Sequence, residues 1–142
     1  MITAERYHDI SCGHRVHGQG GKCENLHGHN YRIHFTVAGT GEALDDVGRV
    51  LDFGVIKDLL CEWLEENWDH KFLIWENDPW RLALIDLDST VVWTPFNPTA
   101  ENLAQHLVMV VAPKELEGTG VELITCRVEE TRKCSATYDK YF

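Results

Sequence analysis

The sequence predicts an α+β domain in which an antiparallel sheet carries two helices on one face. Alternating apolar residues predict strands towards both ends of the chain, and two stretches with apolar residues at helical spacing lie between them. The loops within the terminal strand pairs are too short for the crossovers of an all-parallel sheet. With 142 residues the chain has the usual length of one domain, so we expect a single domain over residues 1–142.

The first strand pair is predicted over Ile2–Cys12 and from His29 to Val37, with a glycine-rich loop between them. The second strand has a clear period of two, and its apolar face consists of Tyr31, Ile33, Phe35 and Val37. The last strand pair is predicted over the stretches GVELITCRVEET and SATYDKYF. A further strand is predicted over STVVWTPF, in the middle of the chain.

Two long helices are predicted between the terminal strand pairs. Asp52 is a suitable N-cap for the first, over FGVIKDLLCEWLEENW. The second covers NPTAENLAQHLVMVVAP, with Pro98 near its start and Pro113 at its end. Between them the pattern is irregular, and DPWRLALID predicts a short helix opened by Asp78 and Pro79.

The composition excludes several classes of function. The formal net charge of −10 argues against nucleic-acid binding, which normally requires a basic surface. The first residues show no secretion signal and no long apolar run follows, so we expect a cytoplasmic protein without a membrane partner. In that compartment, five cysteines favour free thiols, metal ligands or a nucleophile over disulfides.

A group of histidines near the first predicted hairpin suggests a metal site. His27 and His29 are two residues apart, so a strand places both on one face. His14 or His17 can supply a third ligand, and His14 is preferred because it continues the face of Ile10 and Cys12. Three imidazoles around zinc leave one position open, as catalytic sites do. Two alternatives remain: histidines satisfied without metal, or a closed structural zinc that includes Cys12 or Cys23. The other histidines, His8, His34 and His106, are expected to be structural.

Glu130 is the second residue that the strand pattern marks. On the stretch ELITCRVEE, the residues Ile124, Cys126 and Val128 form an apolar face, and Glu130 is next on that face. A carboxylate directed inward needs a partner. The alternative is a bend at the end of the strand that exposes Glu130.

Six short motifs occur in the same order as in a known enzyme family. The motifs are GHRVH, CENLHGHNY, DFGVIKDLL, WDHKFL, NPTAEN and VEET. The chain thereby resembles the 6-pyruvoyl-tetrahydropterin synthase and 6-carboxytetrahydropterin synthase family over almost its whole length. The resemblance implies a tunnelling fold, in which β-β-α-α-β-β subunits form trimeric barrels that stack into a homohexamer with active sites between subunits.

The resemblance also implies residue roles. His14, His27 and His29 match the zinc ligands, Cys23 the catalytic base, Asp69 and His70 a proton relay, and Glu130 the carboxylate that anchors the pterin ring. Thr99 and Glu101 resemble residues of the pterin pocket, although helix capping explains them almost as well. By itself, His70 would equally be explained as a residue that favours the end of the preceding helix.

The implied substrate is 7,8-dihydroneopterin triphosphate. The three residues between Cys23 and the HGH motif resemble the branch that forms 6-carboxytetrahydropterin and acetaldehyde and feeds queuosine synthesis. The alternatives are the 6-pyruvoyl branch, a non-catalytic zinc-binding assembly protein, and a zinc hydrolase, for which Glu24 is the only nearby base. Candidates for binding the triphosphate are Arg15, Lys22, Arg132 and Lys133.

Overall fold

The computed structural model describes residues 1–41 and 43–142. The sheet has six strands in the order β4-β3-β1-β2-β5-β6. In chain order the strands are β1 Thr3–His14, β2 His27–Gly39, β3 Phe72–Trp75, β4 Val92–Thr94, β5 Val121–Glu129 and β6 Ser135–Asp139. Both strands of the first hairpin reach two residues closer to the connecting loop than the sequence predicts, and each thereby includes another histidine.

The predicted antiparallel sheet is confirmed for β1, β2, β5 and β6, which pair antiparallel throughout. The structure adds one short strand, β3, and confirms the predicted middle strand as β4. Both run parallel to their neighbours: β3 pairs with the end of β1, and β4 pairs with β3. The region after the first helix, which is irregular in sequence, therefore contains β3 and extends the sheet at one edge.

The first long helix consists of the contiguous segments Phe53–Ile56, Lys57–Cys61 and Glu62–Asn67, of which the middle one is π-helical. The side chain of Asp52 accepts a hydrogen bond from the Gly54 amide at 2.9 Å, which confirms the predicted N-cap. The predicted short helix spans Arg81–Leu87 and begins after Trp80, later than Asp78 and Pro79.

The second long helix consists of Ala100–His106, Leu107–Val111 and Ala112–Glu115, again with a π-helical middle segment. The prediction that it ends at Pro113 is wrong, because the helix continues to Glu115. The π-helical segment shifts the backbone hydrogen bonds just before the proline, so the chain tolerates its missing N–H group.

Both long helices cover the same face of the sheet. The alternating residues of β2 are almost completely buried against them, and helix residues such as Ile56, Leu64 and Leu107 complete the core. The opposite face, called the outer face below, carries polar residues at the intervening positions, for example Asn30 and Arg32. The fold class predicted from sequence is thus confirmed, with both long helices on one face of the sheet.

A β-bulge corrects the predicted core face of β5. The register between β2 and β5 shifts at Thr36/Val37, and Ile124 has no partner in the ladder. Leu123 is therefore buried in the core where the sequence pattern assigned Ile124. Beyond the bulge, Cys126 and Val128 are buried as predicted, so Glu130 at the strand end follows the helix-covered face.

Gly13 lies where β1 contacts β3. It is paired with Phe72, and its amide donates to the Lys71 carbonyl at 2.9 Å. A Cβ atom on Gly13 would lie 2.5 Å from the Phe72 ring, so only glycine lets this ring pack here without a shift. Across the ladder, Gly13 is paired with Gly28, between the two histidines of the HGH motif.

Within the described residues, no helix is both long enough and apolar enough to cross a membrane.

Candidate active site

Three histidines meet at the end of the β1–β2 hairpin. In the ladder, His14 is opposite His27 and Cys12 is opposite His29, which places all three imidazoles on the helix-covered face. Their ring centroids are 4.5 to 5.1 Å apart. Together with Glu130 they form a group whose ligand atoms all lie within 4.8 Å of one another, so the group can hold a metal ion.

Backbone carbonyls select the nitrogen that two of these rings offer to a metal. The Nδ1 atom of His14 lies 2.7 Å from the Pro98 carbonyl, and that of His27 lies 2.7 Å from the Asn25 carbonyl. A carbonyl only accepts hydrogen bonds, so each Nδ1 carries the proton and each Nε2 has a free lone pair. These two rings are thereby prepared as metal ligands.

The surroundings of the rings also fit a metal. The Nε2 atoms of His14 and His29 are buried and have no hydrogen-bond partner of normal geometry among residues 1–41 and 43–142. Burial, opposed by the nearby Glu130 charge, lowers the pKa of His29, so its ring is neutral at pH 7. Neutral imidazole is the form that binds metal, and a bound cation would satisfy the buried nitrogens.

Glu130 is directed inward, and its partners are the histidines. Its Oε1 atom lies 2.9 Å from Nε2 of His29 and 3.5 Å from Nε2 of His14. The polar contact with His14 and the neighbouring His29 and His27 lower the pKa of Glu130 despite its burial, so the carboxylate is ionised at pH 7. The group therefore combines three imidazole rings with one carboxylate.

Cys23 lies in the loop that joins the two histidine-bearing strands. It is part of a single 3₁₀ turn, Lys22–Glu24, and its carbonyl accepts the Val16 amide at 2.9 Å. The thiol is half-buried and is not one of the ligand atoms that converge in the histidine group. The structure thus places Cys23 beside the metal group in the chain but outside its set of ligands.

Arg15 holds this loop in place. Its guanidinium pairs with the buried carboxylate of Asp78 and stacks over the Trp80 ring at 3.7 Å, and its Nε donates to the Glu24 carbonyl at 2.8 Å. Arg15 is only 4% exposed, so its proposed role in binding triphosphate is wrong: the side chain is already engaged and water does not reach it. The other three candidates, Lys22, Arg132 and Lys133, are exposed.

Asp69 and His70 lie beside β1 and form a pair. Asp69 accepts the Ser11 amide at 2.9 Å, and the His70 amide donates to the Ser11 carbonyl at 2.7 Å. The other carboxylate oxygen of Asp69 is 2.9 Å from Nδ1 of His70. Burial opposes ionisation of Asp69, but the bonds from Ser11 and His70 outweigh it and lower its pKa. An ionised Asp69 therefore fixes the orientation of the His70 ring.

The backbone of His70 is strained, and its side chain is exposed. Its φ of +59° makes it the only residue other than glycine with a positive φ in the described part of the chain. Such a conformation costs about 1 kcal/mol for a residue with a side chain. Although it pairs with Asp69, the imidazole is 81% exposed to solvent.

His70 lines two neighbouring cavities. The pair lines a cavity of about 600 Å³ on the outer face, together with Ser11, Asn30 and Arg132 among others. None of the three clustered histidines lines this cavity. A second cavity, of about 470 Å³, is lined by both His29 and His70, so the pair borders the histidine group within one chain, whereas Cys23 lines neither of these two cavities.

Residues of the NPTAEN motif hold parts of the site in place through hydrogen bonds. Thr99 caps the second long helix by accepting the Asn102 amide at 3.1 Å, and Glu101 is exposed in the first turn. Sequence reasoning missed Asn97, whose side chain exchanges two hydrogen bonds with the backbone of His17. Since Pro98 orients His14, this loop positions both the metal group and the Cys23 loop.

The surroundings of Cys12, His8, His34 and His106 are typical of structural residues. Burial, with the nearby Asp69, raises the pKa of Cys12 to about 12 and leaves the thiol inert. His8 pairs with Glu65, His34 with Glu129, and His106 packs against Phe96. These histidines agree with the structural interpretation from sequence.

Comparison with known proteins gives consistent results. The family model described as 6-pyruvoyl tetrahydropterin synthase matches residues 3–141. A 6-carboxy-5,6,7,8-tetrahydropterin synthase of Rickettsia bellii is 36% identical over 136 residues, which cover 94% of this chain and 97% of the relative. An enzyme of the same name from Aquifex aeolicus is 34% identical over 126 residues, 82% of this chain and 75% of the relative.

Solved structures share the fold. An uncharacterized protein of Wolinella succinogenes superimposes with a TM-score of 0.82 at 21% identity and covers 97% of both chains. The 6-pyruvoyl tetrahydropterin synthase of Caenorhabditis elegans superimposes with a TM-score of 0.69 at 25% identity, over 97% of this chain and 94% of that chain.

Proposed function

Because the chain belongs to the 6-pyruvoyl tetrahydropterin synthase family, we propose that it is a zinc-dependent 6-carboxy-5,6,7,8-tetrahydropterin synthase. It would convert 7,8-dihydroneopterin triphosphate to 6-carboxytetrahydropterin, acetaldehyde and triphosphate in the cytoplasm, as a step of queuosine synthesis. The observation that carries this proposal is the convergence of His14, His27 and His29 in a chain whose full-length curated relatives bear that name.

The three histidines would hold the zinc, and the buried Nε2 atoms of His14 and His29 support this assignment. Zinc bound there supplies a Lewis acid that stabilises the negative charge formed on substrate oxygens when a C–H bond breaks. The protein contributes by fixing the rings beforehand: the Pro98 and Asn25 carbonyls hold their orientation, so little reorganisation remains for the reaction.

Cys23 is proposed as the base that takes a proton from the substrate side chain. Its position outside the set of converging ligand atoms leaves its sulfur available for that role. The tether from Arg15 to the Glu24 carbonyl restricts the turn that carries the thiol. A base held in one position transfers protons more effectively than a mobile one.

Asp69 and His70 are proposed to complete the site of another subunit. The imidazole is fixed by Asp69 and is 81% exposed, so it is accessible to a neighbouring copy. A homo-oligomer, expected to be a hexamer of two trimers, would bring His70 of one copy to Cys23 of the next. His70 would then pass the proton that Cys23 takes up.

Glu130 is proposed to anchor the pterin ring, whose amino group and adjacent N–H form a planar pair of donors that suits one carboxylate. Thr99 and Glu101 are proposed as weaker contacts of the same ring. The capping bond of Thr99 leaves its hydroxyl proton free to donate.

The test is to incubate the zinc-loaded protein with 7,8-dihydroneopterin triphosphate and to identify the products by mass spectrometry. Acetaldehyde with 6-carboxytetrahydropterin is the expected result. Formation of 6-pyruvoyl-tetrahydropterin would move the protein to the sister activity. The absence of turnover by a protein that holds zinc would refute the enzyme proposal and favour a non-catalytic assembly role.

A further inference from the structure

The carboxylate of Glu130 lies where a catalytic metal site normally has its open position. Catalytic zinc sites have three protein ligands and one exchangeable position, whereas closed sites with four protein ligands are typically structural. Here the fourth group beside His14, His27 and His29 is a carboxylate from the end of β5.

The distances are those of a fourth ligand. Ligand atoms about 2.0 Å from a tetrahedral zinc are roughly 3.3 Å from one another. Glu130 Oε1 is 2.9 Å from Nε2 of His29 and 3.5 Å from Nε2 of His14, which brackets that value. The same oxygen makes both contacts, so a single carboxylate oxygen would share the ion with the two nitrogens.

The backbone of Glu130 is fixed, but its side chain is free to rotate. The Glu130 amide donates to the Cys134 carbonyl at 3.1 Å, and the preceding residue, Glu129, is paired in the ladder with Arg32. The side chain is 22% exposed, so one side of it borders open space. Release from the histidine group therefore requires only rotation about side-chain bonds.

From this geometry, and on the basis of the proposed function, we propose that Glu130 alternates between two partners. In the substrate-free protein it is the fourth metal ligand and closes the site. When the pterin enters, the substrate side chain takes the ligand position, and the released carboxylate accepts the N–H donors of the ring.

The exchange leaves the carboxylate with a favourable partner in both positions, either the metal ion or the N–H donors of the ring. A partly buried carboxylate needs a cation or donors in either position, and the pterin supplies donors at the moment the metal contact is lost. Since release and ring binding are coupled, a molecule without the pterin ring would not open the site. Glu130 thus makes access to the metal depend on recognition of the ring.

The test uses cobalt in place of zinc, because the visible absorption of Co²⁺ reports both the number and the kind of its ligands. Three proteins are compared without substrate and with neopterin: the unmodified chain, Glu130→Gln, and Glu129→Gln. Glu129 is the matched control because its loss removes the same charge one residue away, from a side chain that contacts His34 on the outer face.

We expect the unmodified protein and Glu129→Gln to show the intense spectrum of a four-coordinate ion, which neopterin changes. Glu130→Gln should bind Co²⁺ about 10-fold or more weakly and show a water-ligated spectrum before neopterin is added. Equal Co²⁺ affinity and equal spectra for the unmodified protein and Glu130→Gln would overturn the proposal. A spectrum of the unmodified protein that neopterin leaves unchanged would also overturn it, because Glu130 would then be a permanent ligand.

These readouts need no turnover, so they are independent of the proposed reaction. A protein that changes its Co²⁺ spectrum with neopterin but forms no product would retain the exchange and lose the synthase assignment. If the protein forms 6-carboxytetrahydropterin while Glu130→Gln leaves the cobalt site unchanged, the synthase assignment is supported and the exchange is refuted.

Discussion

The histidine group and the Asp69–His70 pair lie at the same end of β1 but have opposite physical properties. His14 is 1% exposed and its ring is oriented by a backbone carbonyl, whereas the His70 ring is 81% exposed on a strained backbone. The three imidazoles converge within one chain, whereas His70 pairs with Asp69 and leaves most of its ring in solvent. This difference underlies the proposal that His70 acts in a neighbouring subunit.

The largest effect is expected from removing a ligand of the histidine group. His29→Ala should lose stoichiometric zinc and reduce activity by at least about 10³-fold, since the metal contributes several kcal/mol to the transition state. Zinc content after gel filtration and the rate of product formation measure the two losses. His34→Ala is the control, because His34 lies on the outer face of the same strand. Full zinc content in His29→Ala would contradict the assignment.

Cys23→Ala should separate chemistry from metal binding. We expect unchanged zinc content and a fall in kcat of about 10²- to 10⁴-fold, the usual contribution of a positioned base. Cys12→Ala is the control, because it removes a buried thiol from the same hairpin. If Cys23→Ala lost its zinc, Cys23 would be a ligand, and the division of the site into metal group and base would fail.

His70→Ala tests whether the exposed pair acts on another copy. We expect activity to fall about 10²-fold with zinc retained, because the relay is lost and the metal group is untouched. Co-expression of the Cys23→Ala and His70→Ala chains should restore roughly one quarter of the activity, since that share of sites receives both intact residues in a random symmetric oligomer. An inactive mixture of well-assembled chains would place both residues in one subunit.

A smaller effect is expected from Arg15→Lys. Lysine keeps the charge opposite Asp78 but does not reproduce the planar fork that also reaches the Glu24 carbonyl. We expect kcat to fall about 10-fold with zinc unchanged, and the rate of Cys23 alkylation by iodoacetamide to change across pH 6–9. Arg81→Lys is the control, because Arg81 also contacts Asp78. An alkylation profile identical to that of the unmodified protein would show that Arg15 does not position the thiol.

The smallest effect concerns the buried thiols. Burial raises the pKa of Cys12 to about 12 and also raises those of Cys61 and Cys126. At pH 8 these groups stay protonated, so iodoacetamide should modify Cys23 and Cys134 in the folded protein and leave the other three intact. Peptide mass mapping checks this. Rapid modification of Cys12 would show that the hairpin opens in solution.

The alternation of residues was sufficient to predict the metal group. His14 follows the face of Ile10 and Cys12, and His27 and His29 follow that of Tyr31, so a period of two brings the three rings together without knowledge of the turn. The long helices were predictable for the same reason, because their apolar residues recur over many turns.

The parts that sequence reasoning missed depend on contacts between distant residues. The Arg15–Asp78 pair joins positions 63 residues apart, and no local pattern signals it. The short strand β3 pairs with β1 on one side and β4 on the other, and its four residues carry too little periodicity to predict, whereas β4 lies within the predicted stretch STVVWTPF. The bulge at Ile124 and the positive φ of His70 are likewise imposed by neighbouring strands.

Gly13 belongs to both regions compared above. It directly precedes the ligand His14, and its amide and its missing side chain hold the segment that follows His70. For protein engineering, substitution of Gly13 is expected to disturb the histidine group and the Asp69–His70 pair together. A graft of the histidine motif onto another hairpin would need this glycine only if the second region were transferred as well.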